Sequence, residues 1–271
     1  MDKGEKPDLP VARSFWFGKP ITWIGLLSMQ SYLSQGHSFE LYAYEDISVP
    51  EGVSLKDANE LIPESESFEM LNSIDGIRGR FTTFSNVFRY KLIHDKGGMW
   101  VDLDSICVKS IDINHPTGLL FASERARTGL EINNCNIWVS NPGHPVLAAL
   151  YSKAMSADQS SLHHLSFNKE FILDVFDVMG YDWTLYVAPV EWFCPIPWYN
   201  IQTIFSSSHD ESARSLCNQS YAIHLFNNII EADHRDLLHR PIKSRSLISD
   251  LVDFINQRGT EIQNQQKLNY G

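Results

Sequence analysis

Hydrophobic and polar positions along the first half of the chain switch between a strand-like and a helix-like period. Alternation at every second residue predicts strands, whereas apolar positions three and four residues apart predict amphipathic helices. The predicted strands are residues 13–17, 40–44 and 99–108, and the predicted helices are residues 22–35 and 84–95. Strands that alternate with helices are typical of a mostly parallel α/β sheet flanked by helices on both faces. Ligands bind such sheets at the carboxyl ends of the strands.

The clearest helix signal lies in residues 84–95. Ser85 is a suitable N-cap, an apolar stripe repeats at helical spacing, and Gly97 is a typical terminating residue. Asn86 and Arg89 are three residues apart and therefore share one face of this helix. An arginine facing the carboxyl edge of the sheet can hold a phosphate or a sugar hydroxyl, although helical arginines more often form exposed ion pairs.

The second half of the chain has shorter predicted strands and longer loops. Its predicted strands are residues 121–123 and 137–139, its predicted helices are residues 144–155, 168–179 and 247–257, and residues 189–197 form an aromatic, proline-rich loop. No linker separates the two halves, so we expect one α/β domain over residues 11–257. The polar residues 258–271 are expected to be a frayed tail.

Composition and charge exclude several classes of protein. The chain has 271 residues, with 22 Lys and Arg against 33 Asp and Glu, and its formal net charge is −11. Nucleic acids and anionic membranes repel a body of this charge. The first residues lack the apolar core of a signal peptide, and no apolar run approaches the roughly 18–20 residues of a membrane span. We therefore expect a cytoplasmic protein.

Cysteine usage agrees with a reducing compartment. The four cysteines are widely spaced and form no CxxC pair; they are Cys107, Cys135, Cys194 and Cys217. A zinc ribbon or a disulfide framework is therefore not expected.

Two carboxylates follow an apolar strand in the segment GGMWVDLD. Asp102 and Asp104 are two residues apart, so on an extended chain their side chains point the same way and their Cα atoms are about 6.6 Å apart. Two acids on one side of a strand end repel each other unless a cation lies between them. A hard divalent ion such as Mg²⁺ or Mn²⁺ removes that repulsion and usually brings substrate phosphates with it, whereas a solvated strand end is the simpler alternative.

Two blocks of the chain resemble one enzyme family. SNVFRY at residues 85–90 and KGGMWVDLD at residues 96–104 are similar to the signature S-D-x-x-R-Y … G-G-x-Y-x-D-x-D of DxD glycosyltransferases. APVEWFCPIPW at residues 188–198 and YAIHLFN at residues 221–227 resemble the later blocks of the same enzymes. The most similar group is the α1,4-galactosyltransferases and α1,4-N-acetylglucosaminyltransferases of glycosyltransferase family thirty-two, which includes bacterial capsular-polysaccharide enzymes. Clostridial glucosylating toxins are more distantly similar, and the resemblance spans roughly residues 12–230.

This resemblance implies a GT-A-type fold and a set of site residues. The implied donor half is residues 11–109 and the implied acceptor half is residues 110–257. Asp102 and Asp104 would bind Mn²⁺ or Mg²⁺ and the diphosphate, and His224 is a candidate third ligand, unless it is an ordinary satisfied strand histidine. Trp16 would stack on uracil at the end of the first strand, where a core tryptophan is nearly as common. The remaining donor-binding candidates are Asn86, Arg89, Asn134 and Asn227.

The resemblance also implies a reaction. A hexose such as galactose or N-acetylglucosamine would pass from a UDP-sugar to a hydroxyl of a glycan or glycolipid, with retention of configuration. Asp102, Asp104 and Arg89 would act on the developing charge of the leaving diphosphate. Asn86 stands where the family usually has Asp, which leaves the donor sugar open, and Phe226 replaces a usual Trp.

Two alternatives remain at the level of sequence. A glycoside hydrolase would use Asp102 and Asp104 as its acid and base, but such carboxyls lie on opposite sides of the scissile bond. A non-catalytic carbohydrate-binding protein would draw on the seven Trp residues of the chain and would use the aromatic loop at residues 192–199 as its platform. A basic patch of Arg235, Arg240, Lys243 and Arg245 is either a solvated face or a peripheral contact to the inner membrane surface, where a lipid-linked acceptor would lie.

Overall fold

A six-stranded mixed sheet lies at the centre of the computed structural model, which describes residues 9–18, 20–69, 81–163, 166–206, 210–234, 236 and 245–270. The strands in chain order are β1 (Ala12–Trp16), β2 (Phe39–Ala43), β3 (Val53–Asp57), β4 (Gly98–Val101), β5 (Ser105–Cys107), β6 (Leu119–Ala126), β7 (Gly129–Val139) and β8 (Ala222–His224). The order in the main sheet is β3-β2-β1-β4-β7-β6, and β5 pairs with β8 in a second, two-stranded sheet. The pairs β3–β2, β2–β1 and β1–β4 are parallel, and the pairs β4–β7 and β7–β6 are antiparallel.

Helices cover both faces of the sheet. In chain order they are α1 (Trp23–Ser34), α2 (Thr82–Lys96), α3 (Pro145–Met155), α4 (Lys169–Met179), α5 (Val190–Phe193), α6 (Asp210–Cys217), α7 (Asn227–Asp233) and α8 (Leu247–Tyr270). One face of the sheet packs against α2, α3 and α4, and the other packs against α1 and α5. Within β4, Trp100 faces the first layer while Met99 and Val101 face the second, as the alternation of a strand requires. The predicted mostly parallel α/β sheet flanked by helices is confirmed.

Several predicted boundaries were close to the structure. The Oγ1 of Thr22 accepts a hydrogen bond from the N–H of Gly25 and caps α1, while α2 ends at Lys96 and is followed by Gly97, its C-cap, with φ of 70°. The prediction that Ser85 caps α2 is wrong, because the helix begins at Thr82 and the Ser85 N–H already donates to the carbonyl of Phe81.

The predicted strand 99–108 is interrupted at the two carboxylates. β4 ends at Val101, a turn includes Leu103 and Asp104, and β5 begins at Ser105. The Ser105 N–H donates to the Asp102 carbonyl over 2.9 Å and closes this turn. The extended geometry predicted for Asp102 and Asp104 is therefore wrong, and their approach depends on the turn and on the residues that hold it.

The other differences concern lengths. β6 and β7 form a longer hairpin than predicted, residues 190–193 of the aromatic loop form α5, and α8 continues to Tyr270, beyond the predicted end at residue 257. Residues 258–271 include three Gln, one Glu, one Lys and one Arg, residue types with good helix propensity. Of the basic patch, Arg235, Arg240 and Lys243 lie outside the described residues. Within the described part of the chain, no helix combines the length and apolar character that crossing a bilayer requires.

Candidate active site

Asp102 and Asp104 lie at the carboxyl edge of the parallel part of the sheet. β1 and β4 run side by side in the same direction, with Arg13 opposite Trp100, so Trp16 at the end of β1 reaches the same edge. The Asp102 N–H donates to the Cys135 carbonyl of β7 over 2.9 Å. The turn is therefore fixed to the strand on its other side, in the region where sheets of this kind bind ligands.

Asp102 is held by groups from β4 and α2. Its Oδ1 accepts a hydrogen bond from Trp100 Nε1 over 2.7 Å and lies 3.1 Å from Arg89 Nη2. The Arg89 guanidinium also covers the Trp100 ring, at 4.7 Å from its centroid, and its Nη1 donates to the Asn134 carbonyl over 2.5 Å. Arg89 is buried and faces the sheet edge, as its predicted helix face required.

Asp104 is held by the C-terminal half of the chain. Its Oδ1 lies 3.2 Å from His224 Nε2, and its Oδ2 accepts a hydrogen bond from the backbone N–H of Asn227 over 2.7 Å. β8 pairs with β5 and sets Ser105 opposite His224, which explains how residues so distant in sequence meet. Phe226 follows in a left-handed conformation with φ of 50°, which is uncommon for a bulky residue and frequent at functional sites.

The two carboxylates differ in electrostatics. Burial raises the pKa of Asp102, and the neighbouring Asp104 charge adds to this, while Arg89 opposes it. Burial would also raise the pKa of Asp104, but the charge and hydrogen bond of His224 and the Asn227 N–H lower it below its usual value. Burial alone would lower the pKa of His224, whereas its neighbours Cys135 and Asp104 raise it well above its ordinary value.

Asp102, Asp104 and His224 together fit a divalent cation. One ligand atom from each residue lies within 4.8 Å of the others. Two carboxylate oxygens and an imidazole nitrogen form a donor set that suits Mn²⁺ and, with water, Mg²⁺. The structure thus brings together the three metal ligands that the resemblance implied.

A cluster of amides connects α2 to β7. The Asn134 amide donates to Asn86 Oδ1 over 2.9 Å and lies 3.3 Å from both the Tyr90 hydroxyl and the Phe167 carbonyl. Asn86 in turn donates to Asn168 Oδ1 over 3.5 Å. The donor-sugar candidates Asn86, Arg89 and Asn134 therefore form one connected group beside Asp102.

A polar cavity of about 210 Å³ opens next to this amide cluster. It is lined by Glu124, Glu131, Ile132, Asn133, Asn134, Asn168, Lys169 and Glu170. Glu124 Oε1 accepts a hydrogen bond from Asn133 over 2.9 Å, while its Oε2 is buried with no hydrogen-bond partner in the described structure. Burial raises the pKa of the Glu124 carboxyl. No motif in the sequence marks Glu124, because only the β6–β7 pairing brings it to the site.

An irregularity in β7 helps to form the site. Phe121 of β6 pairs with Ile137, but the next residue, Ala122, pairs with Asn133, so residues 134–136 bulge out of the ladder. Bulges of this kind redirect side chains and occur next to active sites. The bulge supplies Asn134 to the amide cluster, and no local signal in the sequence marks it.

The two remaining candidates are Trp16 and Asn227. Trp16 is partly buried at the sheet edge, and its Nε1 has no hydrogen-bond partner among the residues that the structure describes. The Asn227 side chain donates to Glu231 over 2.9 Å, so this residue contacts Asp104 through its backbone.

A second cavity, of about 580 Å³, lies between α1 and the segment after β2; its lining includes Pro20, Ile21, Leu26, Ile47 and Val49.

Comparison with known proteins yields two matches to family models. Residues 27–119 match the glycosyltransferase sugar-binding region containing the DXD motif, and residues 178–251 match the alpha 1,4-glycosyltransferase conserved region. These ranges contain the acid pair and His224, respectively. No curated protein matches the chain.

Solved structures show only distant similarity. The PaToxG glycosyltransferase has 16% identity and a TM-score of 0.46, over 96% of this chain and 89% of that one. A transferase solved as a double cysteine-to-serine mutant has 13% identity and a TM-score of 0.48, over 67% of this chain and 92% of that one. The apo structure of the bifunctional WbbM has 11% identity and a TM-score of 0.40, over 94% of this chain and 50% of that one.

Proposed function

We propose a specific reaction for this chain, which is a glycosyltransferase with a DXD sugar-binding region. It transfers a hexose, such as galactose or N-acetylglucosamine, from a UDP-sugar to a hydroxyl of a glycan or lipid-linked glycan, with retention of configuration and with Mn²⁺ or Mg²⁺. The observation that carries this proposal is the convergence of Asp102, Asp104 and His224 beside a buried arginine.

Each group of residues has a role in this proposal. Asp102, Asp104 and His224 hold the divalent ion, which supplies a Lewis acid for the leaving diphosphate when it is bound. Arg89 lies 3.1 Å from Asp102 and is fixed by its contact with Asn134, so its remaining donors are preorganised for phosphate or sugar oxygens. The chain has a net charge of −11 and would repel an anionic donor, but the divalent ion provides a local positive charge for the diphosphate.

The sugar is proposed to bind at the amide cluster. Asn86 and Asn134 offer amide groups beside the acid pair, and the adjoining cavity is lined almost entirely by polar side chains. Hydroxyl groups of a hexose require such donors and acceptors. Glu124, at the wall of this cavity, is the residue that we propose accepts a hydrogen bond from the acceptor hydroxyl. Trp16 and Asn227 are the proposed contacts to uracil and pyrophosphate.

Retention is proposed through front-face displacement, in which the leaving phosphate helps to remove the proton of the acceptor hydroxyl. The two acids suit a hydrolase less well. They are neighbours on one turn and each has its own positive partner, whereas retaining hydrolases place two carboxyls on opposite sides of the sugar.

The test is a screen of UDP and GDP sugars with and without Mn²⁺, read as nucleotide release with a glycan acceptor. We expect release from a UDP-hexose only with the ion, and we expect Asp104→Asn to abolish both this release and Mn²⁺ binding measured by calorimetry. Asp177→Asn, on the exposed surface of α4, is the matched control and keeps both. Undiminished turnover of Asp104→Asn, or full activity in EDTA, would exclude the proposed mechanism.

A further inference from the structure

A pair of buried thiols lies beside the proposed site. Cys135, in the β7 bulge, and Cys194, directly after α5, have their Sγ atoms 3.5 Å apart. A disulfide requires a sulfur separation of about 2.05 Å, so these thiols are in contact and unbonded. Both thiols and one nitrogen of His224 lie within 4.8 Å of one another.

His224 has one nitrogen directed away from the acid pair. Its Nε2 faces Asp104, and its Nδ1, on the other side of the ring, is buried with no hydrogen-bond partner among the described residues. The His224 side chain is only 9% exposed. Buried polar atoms are almost always paired, so an unpaired nitrogen beside two thiols indicates a ligand position.

Hydrogen bonds fix α5 to β8 and hold the bulge of β7 that carries Cys135. The Tyr221 N–H, just before β8, donates to the Trp192 carbonyl of α5, and the Ser220 hydroxyl donates to the Glu191 carbonyl. The Cys135 N–H donates to Asn133 Oδ1 within the bulge. Preorganisation of this kind is required of a metal site, because the ligands must keep their geometry without the ion.

The donor set differs in chemical type from that of the acid pair. Two thiolates and an imidazole suit a thiophilic, borderline-soft cation, whereas the carboxylates suit a hard one. With zinc–sulfur bonds of about 2.3 Å, tetrahedral geometry sets two sulfur ligands about 3.8 Å apart, close to the observed separation. Cys₂His with an open fourth position is a known zinc ligand set.

We propose that Cys135, Cys194 and His224 Nδ1 form a second cation site, which takes a thiophilic divalent ion of the Zn²⁺ type. Binding releases the protons of the two thiols to solvent and, where the imidazole is protonated, the proton on His224 Nδ1 as well; the sulfurs become thiolate ligands, and no oxidation is involved. The fourth position is left for water. Binding at this site does not depend on sugar transfer, so it can be tested separately from the proposed function.

The shared histidine couples the two cation sites. A neutral imidazole that binds an ion through Nδ1 carries its proton on Nε2, where it donates to Asp104 and is no longer a ligand for a hard ion. Occupation of the thiol site therefore weakens Mn²⁺ binding at Asp102 and Asp104. We expect the Kd for Mn²⁺ to rise by about tenfold, within the usual range of coupling between sites.

The experiment is a titration of the metal-free full chain with Co²⁺, a spectroscopic substitute for Zn²⁺, under a phosphine reductant. We expect cobalt–thiolate charge-transfer absorption and visible bands of tetrahedral cobalt at one equivalent. Cys135→Ser and Cys194→Ser lose this absorption and bind Zn²⁺ at least about 100-fold more weakly, since even residues outside the ligand set cost 10–100-fold. Cys217→Ser, a cysteine at the end of α6, is the matched control and keeps it, as does Asp102→Asn.

The outcomes separate this proposal from the proposed function. Absence of thiolate absorption in the native chain, or its persistence in both cysteine variants, would overturn the second site even if sugar transfer is found. Circular dichroism establishes that each serine variant is folded, and the two variants test the site independently. Equal weakening of Mn²⁺ binding by Zn²⁺ in the native chain and in Cys135→Ser would overturn the coupling through His224.

Discussion

Arg89 and Arg13 form two buried ion pairs that differ mainly in location. The Arg89–Asp102 side chains are 7% and 24% exposed, and those of Arg13 and Glu40 are 10% and 22% exposed. Each arginine also donates to a buried carbonyl, Arg89 over 2.5 Å and Arg13 over 2.7 Å. Arg13 lies at the start of β1, away from the carboxyl edge of the sheet, and is therefore a matched control.

Replacement of either arginine by Met removes the charge and keeps much of the apolar stem. Breaking a buried pair costs about 3–5 kcal/mol, because one charge remains without a partner. The carboxylates are about a quarter exposed, so water compensates for part of this loss. The carbonyl that loses its donor adds about 1 kcal/mol. We expect Arg89→Met and Arg13→Met each to lower the free energy of unfolding by about 3 kcal/mol without metal.

Mn²⁺ is expected to separate the two variants. An ion at Asp102 replaces the missing positive charge in Arg89→Met, where it no longer meets the repulsion of the guanidinium. If the ion binds tenfold more tightly, its stabilisation increases by about 1.4 kcal/mol at saturation. Urea unfolding followed by fluorescence, with and without Mn²⁺, measures this difference. Equal stabilisation of the native chain, Arg89→Met and Arg13→Met by Mn²⁺ would show that the ion does not replace the missing charge of Arg89.

Three further predictions concern other parts of the fold. Asn86→Asp keeps an acceptor for the Asn134 amide but loses the donor to Asn168 and buries a carboxyl, so we expect the free energy of unfolding to fall by about 1–3 kcal/mol, while a donor screen should show a changed preference among UDP-hexoses. Burial lowers the pKa of His37 below 6.5, so the stability that its neutral form contributes is complete above pH 6.5 and is lost as the pH falls toward the folded-state pKa. In urea unfolding above and below pH 6.5, His37→Gln should lose less stability on acidification than the native chain. In thermal unfolding, Gly98→Ala should lower the free energy of unfolding by about 2–4 kcal/mol and Gly180→Ala by about 1 kcal/mol. Both glycines have positive φ, but of the two only Gly98 has a backbone oxygen within 2.6 Å of the added Cβ. Equal costs would show that this close approach does not matter.

Local signals predicted the elements that local interactions determine. Thr22 and Gly97 mark helix ends because a side-chain acceptor and a positive φ act within one turn of the chain. The face of α2 that carries Asn86 and Arg89 follows from helical spacing alone, and it does face the sheet edge. The mostly parallel sheet follows from the alternation of strands and helices, and its strand order comes from pairings between distant segments.

Features that depend on distant pairing were not predicted from residue patterns. The turn at Asp102 and Asp104 looks like strand in the sequence, since only the bonds to Cys135 and to the segment after β8 show where the chain leaves the sheet. Glu124 carries no motif, and Cys194 lies in the block of residues 188–198 without being marked there as a site residue. They reach the site through the β6–β7 hairpin and through the attachment of α5 to β8.

The two acids have different positive partners, which explains how they remain close without an ion. Arg89 holds Asp102 from the α2 side and His224 holds Asp104 from the β8 side, so each negative charge has its own positive partner. An arriving divalent ion must compete with the fixed Arg89 charge but can replace the proton on His224, because imidazole binds metals in its neutral form. At Asp104 and His224, an arriving ion can therefore take the place of a proton. Asp102, in contrast, is already held in position by Trp100 and Arg89 before any ligand binds.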